Sequence, residues 1–241
     1  ASDLIRGVED AGHEVIVLKE QNDEFAGETI LNRGPGLVLS AVKACKYVKN
    51  CDIVHALDAY PYGIIASIAN IFCRKKLVVT AQGTYAVAPL YNFATNFLVR
   101  WAYNSAELII AISHYTKSEL AKKLRNKNIE VVNHGINLGK FHHDLKGWNE
   151  REDFILSVGA LKHRKGYHIS IPAFALAKKE MPELKYKIVG NQKDANYFIK
   201  LKNIAKKYNV EKDVEFISGI SDGELVALYG RAKIFILTSI N

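Results

Sequence analysis

Short apolar runs rich in β-branched residues alternate with helix-length amphipathic segments along almost the whole chain, and this alternation constrains the fold more than any single residue. The runs Glu14–Leu18, Asp52–His55, Leu77–Thr80, Leu108–Ile112 and Glu130–Val132 predict strands. Between them, Asp3–Asp10, Leu37–Lys49, Tyr62–Phe72, Tyr91–Asn104 and Thr116–Leu124 predict helices. Gly12 is a stop signal for the first helix, Pro61 suits a first helical turn because it has no N–H to leave unpaired, and Thr116 and Glu119 have capping-box spacing. A polar, charge-rich stretch, Leu138–Asp153, then breaks the pattern. Beyond it the alternation resumes with strands Phe154–Val158, Tyr186–Val189, Val214–Ile217 and Ile234–Leu237. Helices Tyr167–Lys179, Ala195–Tyr208 and Asp222–Arg231 separate them, and Ser221 and Glu224 again have capping-box spacing. Strands separated by helices of this length require right-handed crossovers and parallel pairing. The pattern therefore predicts an α/β protein with two doubly wound parallel-sheet domains, 1–140 and 154–241, joined by a linker at 141–153.

A chain of 241 residues suits two small domains, and 49% hydrophobic with 24% charged residues is the composition of a folded protein. No run of about 18 apolar residues occurs, which argues against a membrane-spanning helix. Cys45, Cys51 and Cys73 are odd in number and lack C-x-x-C spacing, against a disulfide framework or zinc ribbon and in favour of a reducing, cytoplasmic compartment. The net charge of +8 points to an anionic partner: nucleic acid, anionic lipid or a phosphorylated small molecule. Nucleic acid is disfavoured, because the cations of Thr116–Lys127 and Ala195–Lys212 have spacings that suit solvated helix faces and no RNA-recognition signature accompanies them. Basic helices of the first domain, with Trp101 and several tyrosines, instead fit a peripheral contact with an anionic membrane. The chain starts partway into a helix and stops just after a strand, as a fragment of a longer protein would.

In doubly wound folds ligands bind beyond the carboxyl ends of the strands, so the loops after strands are the ones to search. The most informative is Ser157-Val158-Gly159-Ala160-Leu161-Lys162-His163-Arg164-Lys165-Gly166. Gly159 allows a close turn at the strand end, and the basic cluster stands next to a helix N-terminus, whose free N–H groups favour an anion. These features make a phosphate or diphosphate site, with a solvated basic loop as the alternative. It is not a Walker loop, and the pair Gly34 and Gly36 lacks the third glycine of a dinucleotide fingerprint. Two other loops, Gln82-Gly83-Thr84-Tyr85 and Asn133-His134-Gly135-Ile136-Asn137, offer polar groups and turn residues that suit the lining of a cleft. No metal site is expected. His142 and His143 sit side by side in the polar linker, no carboxylate or cysteine has zinc-site spacing, and no two aspartates stand at i, i+2.

These loops, in this order, resemble the family 4 retaining glycosyltransferases of the GT-B fold, in which two Rossmann-like domains face each other across a cleft. Val158-Gly159-x-Leu161 with Lys165-Gly166 is similar to the strand, loop and helix that open the donor-binding domain, and Ile188-Val189-Gly190 to the next strand and loop. Ile110-Ala111-Ile112-Ser113 and Asn133-x-Gly135-Ile136-Asn137 with Phe141 resemble segments ahead of the domain junction. Ser221-Asp222-x-Glu224-Leu225, Leu228-Tyr229, Ala232 and the strand to Ser239 resemble the run into the donor-site motif. The resemblance implies transfer of a sugar from a nucleotide-diphosphate donor to a glycan, lipid-linked or small hydroxyl acceptor, with retention and without a required metal or other cofactor. It implies Lys165 as the donor-diphosphate ligand, with Arg164 and Gln82 as further catalytic candidates. Gly159, Lys162, Gly166 and Gly190 are the remaining donor-side candidates, and Gly83, Thr84, Tyr85, Asn133 and Gly135 the cleft or acceptor contacts. Ala160 stands where the family usually has an arginine and Gln82 where a histidine is common, so a catalytically impaired nucleotide-sugar-binding or regulatory protein is the alternative. The family's E-x7-E glutamates would follow Asn241.

Overall fold

A computed structural model describes residues 2–21, 26–32, 36–125, 127–136, 138–139 and 150–240. Gly34, Asn137, Phe141, His142 and His143 lie outside the described residues, as do the side chains of Thr84 and Tyr85. The chain divides into two compact units, Ala1–Ile136 and Asn137–Asn241.

The first unit runs α1 (Ser2–Asp10), β1 (Leu18–Glu20), β2 (Glu28–Leu31), α2 (Leu37–Val48), β3 (Ile53–Leu57), α3 (Ile64–Asn70), β4 (Lys76–Ala81) and the short α4 (Thr84–Val87). It continues with α5 (Phe93–Ser105), β5 (Leu108–Ala111), α6 (His114–Lys123) and β6 (Ile129–Val131). Strands β3-β4-β5-β6 form a parallel sheet in that order, with Val79 between Ala56 and Ile109. Leu77, Val79 and Ile109 are covered by Ile64 of α3, Val99 and Tyr103 of α5 and Leu120 of α6, one apolar core. Among the described residues β1 and β2 pair only with each other. The strand expected at Glu14–Leu18 accordingly begins at its last residue, because pairing with Glu28–Leu31 sets its start and leaves Ile16 exposed. Two local expectations are also corrected. Ala59–Gly63 forms a wide turn ahead of α3, so Pro61 precedes the helix rather than opening it. Ser113, not Thr116, caps α6 by accepting from the Thr116 N–H at 3.1 Å, and Glu119 is taken instead by the Tyr91 hydroxyl and Lys122.

The second unit contains β7 (Glu152–Val158), α7 (Tyr167–Glu180), β8 (Lys185–Val189), α8 (Ala195–Lys207), β9 (Val214–Ile217), α9 (Asp222–Arg231) and β10 (Ala232–Phe235). Its parallel sheet has the order β10-β7-β8-β9. Phe154, Ile155, Leu156 and Ser157 are buried in succession, as a central strand covered on both faces must be. Ile155, Tyr186 and Ile188 pack with Phe174 and Leu201, while Phe154, Leu156 and Val189 pack with Leu225 and Leu228 on the other face. The capping box on α9 forms as its spacing implies, Ser221 and Glu224 each accepting from the other's backbone N–H. β7, β8 and β9 step one way across the sheet and β10 lies on the other side of β7. The order therefore reverses between β7 and β10, which opens a crevice at their carboxyl ends.

A buried polar chain holds that crevice. Ser157 Oγ lies 2.8 Å from the Ile236 carbonyl and 2.9 Å from the Tyr186 hydroxyl, which donates to Ser170 Oγ at 2.8 Å. Burial pushes the Tyr186 pKa up, so its hydroxyl keeps the proton it donates. Ser157→Ala leaves the Ile236 carbonyl without this donor. It is expected to lower stability by about 1–3 kcal/mol in urea unfolding, and an unchanged midpoint would show that the chain is not coupled to the core.

Candidate functional site

The loop after β7 is fixed at both ends by its neighbours. Gly159, at φ +152°, donates its N–H to Val189 O at 2.8 Å and accepts from the buried Tyr167 hydroxyl at 2.7 Å. Leu161 is buried and donates to Asn191 O at 3.0 Å. His163–Lys165 then forms one turn of 3-10 helix, and Gly166, at φ +70°, leads into α7. A Cβ on Gly166 would fall 1.9 Å from Thr238 O, and one on Gly190 2.0 Å from Gly159 O. Both positions therefore need glycine for close backbone approach. Thr238 Oγ1 donates to Gly166 O at 3.0 Å and Ile240 N–H to Arg164 O at 2.8 Å. The segments leaving β7, β8 and β10 are thus laced together at the crevice. Gly190→Ala is expected to destabilise the protein by about 1–3 kcal/mol. Gly135→Ala, where nothing lies within 4 Å of the added Cβ, should melt with the wild type. Equal melting of the two variants would contradict this close approach.

Lys162 and Arg164 are exposed and Lys165 is half-buried, its stem packed against Gly159 with Cε 3.4 Å from the position of a Cβ there. Among the described residues no carboxylate forms a salt bridge with any of the three. They stand at the start of α7, where the helix dipole adds to their positive potential. The free N–H groups expected there are taken: Tyr167 and His168 donate to the Tyr197 hydroxyl and Ile169 to Gly166 O at 2.8 Å. His163 stacks on His168 at 4.4 Å, and His168 Nδ1 lies 2.9 Å from the Tyr197 hydroxyl, which ties the turn to α8. Past Gly190, a cavity of about 540 Å³ opens at the ends of β8 and β9, lined by Asn191, Gln192, Lys193, Ser218, Gly219 and Leu225 among others. The second unit thus brings Gly159, Lys162, Arg164, Lys165, Gly166 and Gly190 to one crevice, with an open hollow of mixed polar and apolar lining beside it. Among the described residues no group of three His, Cys, Asp or Glu side chains stands where it could hold a metal ion.

In the first unit, Gln82 and Gly83 follow β4, and Gly83 has φ +61° with open space around it. From Thr84 the chain is helical rather than an open loop, so Thr84 and Tyr85 begin α4. Asn133 donates from Nδ2 to Ile112 O at 3.1 Å, joining the ends of β5 and β6, and Gly135 is exposed. The residue that sequence reasoning missed is Asp58, at the end of β3. It is buried, has φ +124°, and accepts from the Ala59 N–H at 3.0 Å and from the Gln82 N–H. A non-glycine residue at this φ is held against its preference, and such strain gathers at functional sites. In the sequence it is an ordinary loop acid; the available signal was its position immediately after a strand.

Burial raises the Asp58 carboxyl from 3.8 to about 6, outweighing the two backbone N–H donors that favour the anion. Its folded-state pKa thus lies above its unfolded one, so between these values the folded state binds more protons. Stability contributed by the protonated form is full below about 4 and falls as pH rises through about 6. A shift of this size corresponds to on the order of 3 kcal/mol. Asp58→Asn is therefore expected to be more stable than the wild type at pH 8 and equal to it near pH 4. Parallel pH–stability curves would show that the buried carboxylate carries no such penalty.

A model of Glycosyltransferase Family 4 matches residues 1–140, and one of Glycosyl transferases group 1 matches residues 140–241. The chain is 24% identical over 211 residues to an uncharacterized glycosyltransferase of Methanocaldococcus jannaschii, covering 86% of this chain and 56% of that protein. It is 26% identical over 179 residues to the N-acetyl-alpha-D-glucosaminyl L-malate synthase of Bacillus anthracis, covering 70% and 46%. Among solved structures, a glycosyltransferase from Rickettsia africae matches with a TM-score of 0.77 at 19% identity, over 100% of this chain and 68% of that one. Anabaena HepE in complex with UDP-glucose matches with a TM-score of 0.70 at 20% identity, over 88% and 60%. The chain spans about half the length of the curated relatives it matches.

Proposed function

The chain belongs to glycosyltransferase family 4, with the GT-B fold, and from that premise we propose that it transfers a sugar from a nucleotide-diphosphate donor to a hydroxyl acceptor with retention of anomeric configuration. The observation that carries the proposal is the crevice between β7 and β10, where Lys165 packs on Gly159 at the start of α7 without a carboxylate partner among the described residues. A diphosphate there would meet Lys165 first, with Arg164 and Lys162 as supporting cations and the α7 N-terminus behind them. Gly159 and Gly190 let the backbone come close. The adjoining cavity past Gly190 offers amides, hydroxyl and lysine to the nucleoside end of the donor.

Breaking the sugar–phosphate bond builds positive charge at the anomeric carbon and negative charge on the departing diphosphate. Fixed cations and the α7 dipole at that phosphate stabilise the transition state more than the ground state, and this lowers the barrier. The acceptor is a hydroxyl of a glycan, a lipid-linked sugar or a small molecule. Asp58, Gln82, Gly83 and Asn133, at the carboxyl end of the first unit's sheet, are the groups on the acceptor side.

Titration calorimetry of the full-length protein with UDP-, GDP- and ADP-sugars tests this reading. One donor should bind, and Lys165→Ala should weaken it about tenfold or more, or at least about 1.4 kcal/mol. Binding of no donor, or binding indifferent to Lys165→Ala, would overturn the assignment.

A further inference from the structure

Helix α5 is apolar on two opposite sides. Val99, Ala102 and Tyr103 are buried in the core, as an amphipathic helix requires. Phe93 and Phe97, one turn apart on the other side, are 102% and 79% exposed. Tyr91, just ahead of the helix, is 54% exposed, and Tyr115, in the first turn of α6, is 66% exposed. Scattered exposed apolar residues are ordinary, but an aromatic group of this size around two helix starts is not. α5 begins after the carboxyl end of β4 and α6 after that of β5. In a parallel sheet these ends lie on the same side, so the aromatic group shares an end of the unit with Asp58 and Gln82.

The surrounding charge is mostly positive. No aspartate or glutamate occurs between Asp58 and Glu107. From Glu107 to Lys127 the acids Glu107 and Glu119 stand against Lys117, Lys122, Lys123, Arg125 and Lys127. Glu119 is already engaged by the Tyr91 hydroxyl and Lys122, and Lys123 Nζ lies 4.0 Å over the Tyr91 ring. Aromatic side chains flanked by lysines suit a layer that is apolar below and anionic at its surface. A second copy of the same patch would bring like charges together. Among the described residues no helix is long and apolar enough to cross a membrane, so the contact is one of surface docking.

We propose that the first unit docks on an anionic lipid surface through Tyr91, Phe93, Phe97 and Tyr115, with Lys122, Lys123 and Arg100 meeting the headgroups. Taken with the proposed transferase activity, on which this point rests, the docking selects a lipid-linked acceptor and presents it at the end of the sheet that carries Asp58 and Gln82.

Co-sedimentation of the full-length protein with vesicles tests the docking without any donor present. Vesicles of phosphatidylcholine and phosphatidylglycerol in equal parts should bind the protein, and phosphatidylcholine alone about tenfold less. Phe93→Ser with Phe97→Ser, and separately Lys122→Ala with Lys123→Ala, should each weaken binding about tenfold while thermal melts and donor titration stay at the wild-type values. Absence of binding to the mixed vesicles, or binding unchanged in the phenylalanine variant, overturns the proposal. So does a phenylalanine variant that dissociates an oligomer without altering vesicle binding, since the patch would then join copies of the chain. Donor titration reports on the transferase reading independently, so the failure of one is distinguishable from the failure of the other.

Discussion

Close backbone approach at two glycines is the constraint on which the crevice of the second unit depends. The loop leaving β7 has to touch the exit of β8 on one side and the segment after β10 on the other, and any side chain at Gly190 or Gly166 would occupy the space of a backbone oxygen. With both glycines in place, the Val189, Ile217 and Asn191 carbonyls receive the N–H groups of Gly159, Gly190 and Leu161. A loop fixed in this way holds its cations in place before a ligand arrives. Preorganisation of this kind is what allows a charged group to act on a transition state without first reorganising. The Tyr167 hydroxyl on Gly159 and the Ser157–Tyr186–Ser170 chain beneath it extend the same rigidity into the core.

The first unit uses a different device at the corresponding end of its sheet. There a single carboxyl, Asp58, is buried in a backbone conformation that disfavours it, and its acceptor oxygens bind the N–H groups that follow β3 and β4. A neutral residue could have held those N–H groups without the penalty of desolvation. Retaining an acid here places a proton that can leave near neutral pH next to the Gln82 backbone.

Features set by neighbours in sequence were legible in it, and features set by neighbours in space were not. β7 reads directly because four successive buried residues precede a glycine and a basic cluster. The cap at Ser221 reads directly because both of its partners lie within one turn. The same spacing at Thr116 and Glu119 misleads, since Ser113 offers an earlier cap and Tyr91, 28 residues away, removes the glutamate. β1 starts at Leu18 because β2 is its partner, and β2 is too short and polar to announce itself. Asp58 looks like any loop acid until burial is known. Phe93 and Phe97 match the helical period of an inward face; only the structure shows that Val99 and Tyr103 already occupy it.

Net charge is a poor guide to either of the proposed anionic partners. Lys178 and Lys185 share Asp213, Arg231 pairs with Glu152, and Lys233 with Asp153, so part of the basic composition is compensated locally. Screening at physiological salt acts over about 8 Å, and a bound phosphate or headgroup therefore responds to the cations immediately around it. What distinguishes Lys162, Arg164 and Lys165 is a fixed backbone and the lack of a carboxylate partner among the described residues. Around Phe93 it is a run of sequence almost empty of acids. The two patches differ in kind as well: the first is a rigid loop that can recognise the geometry of a diphosphate, the second a set of long side chains around aromatic rings that can meet a surface without fixed geometry. Specific catalysis needs the first property, and reversible attachment to a fluid layer tolerates only the second.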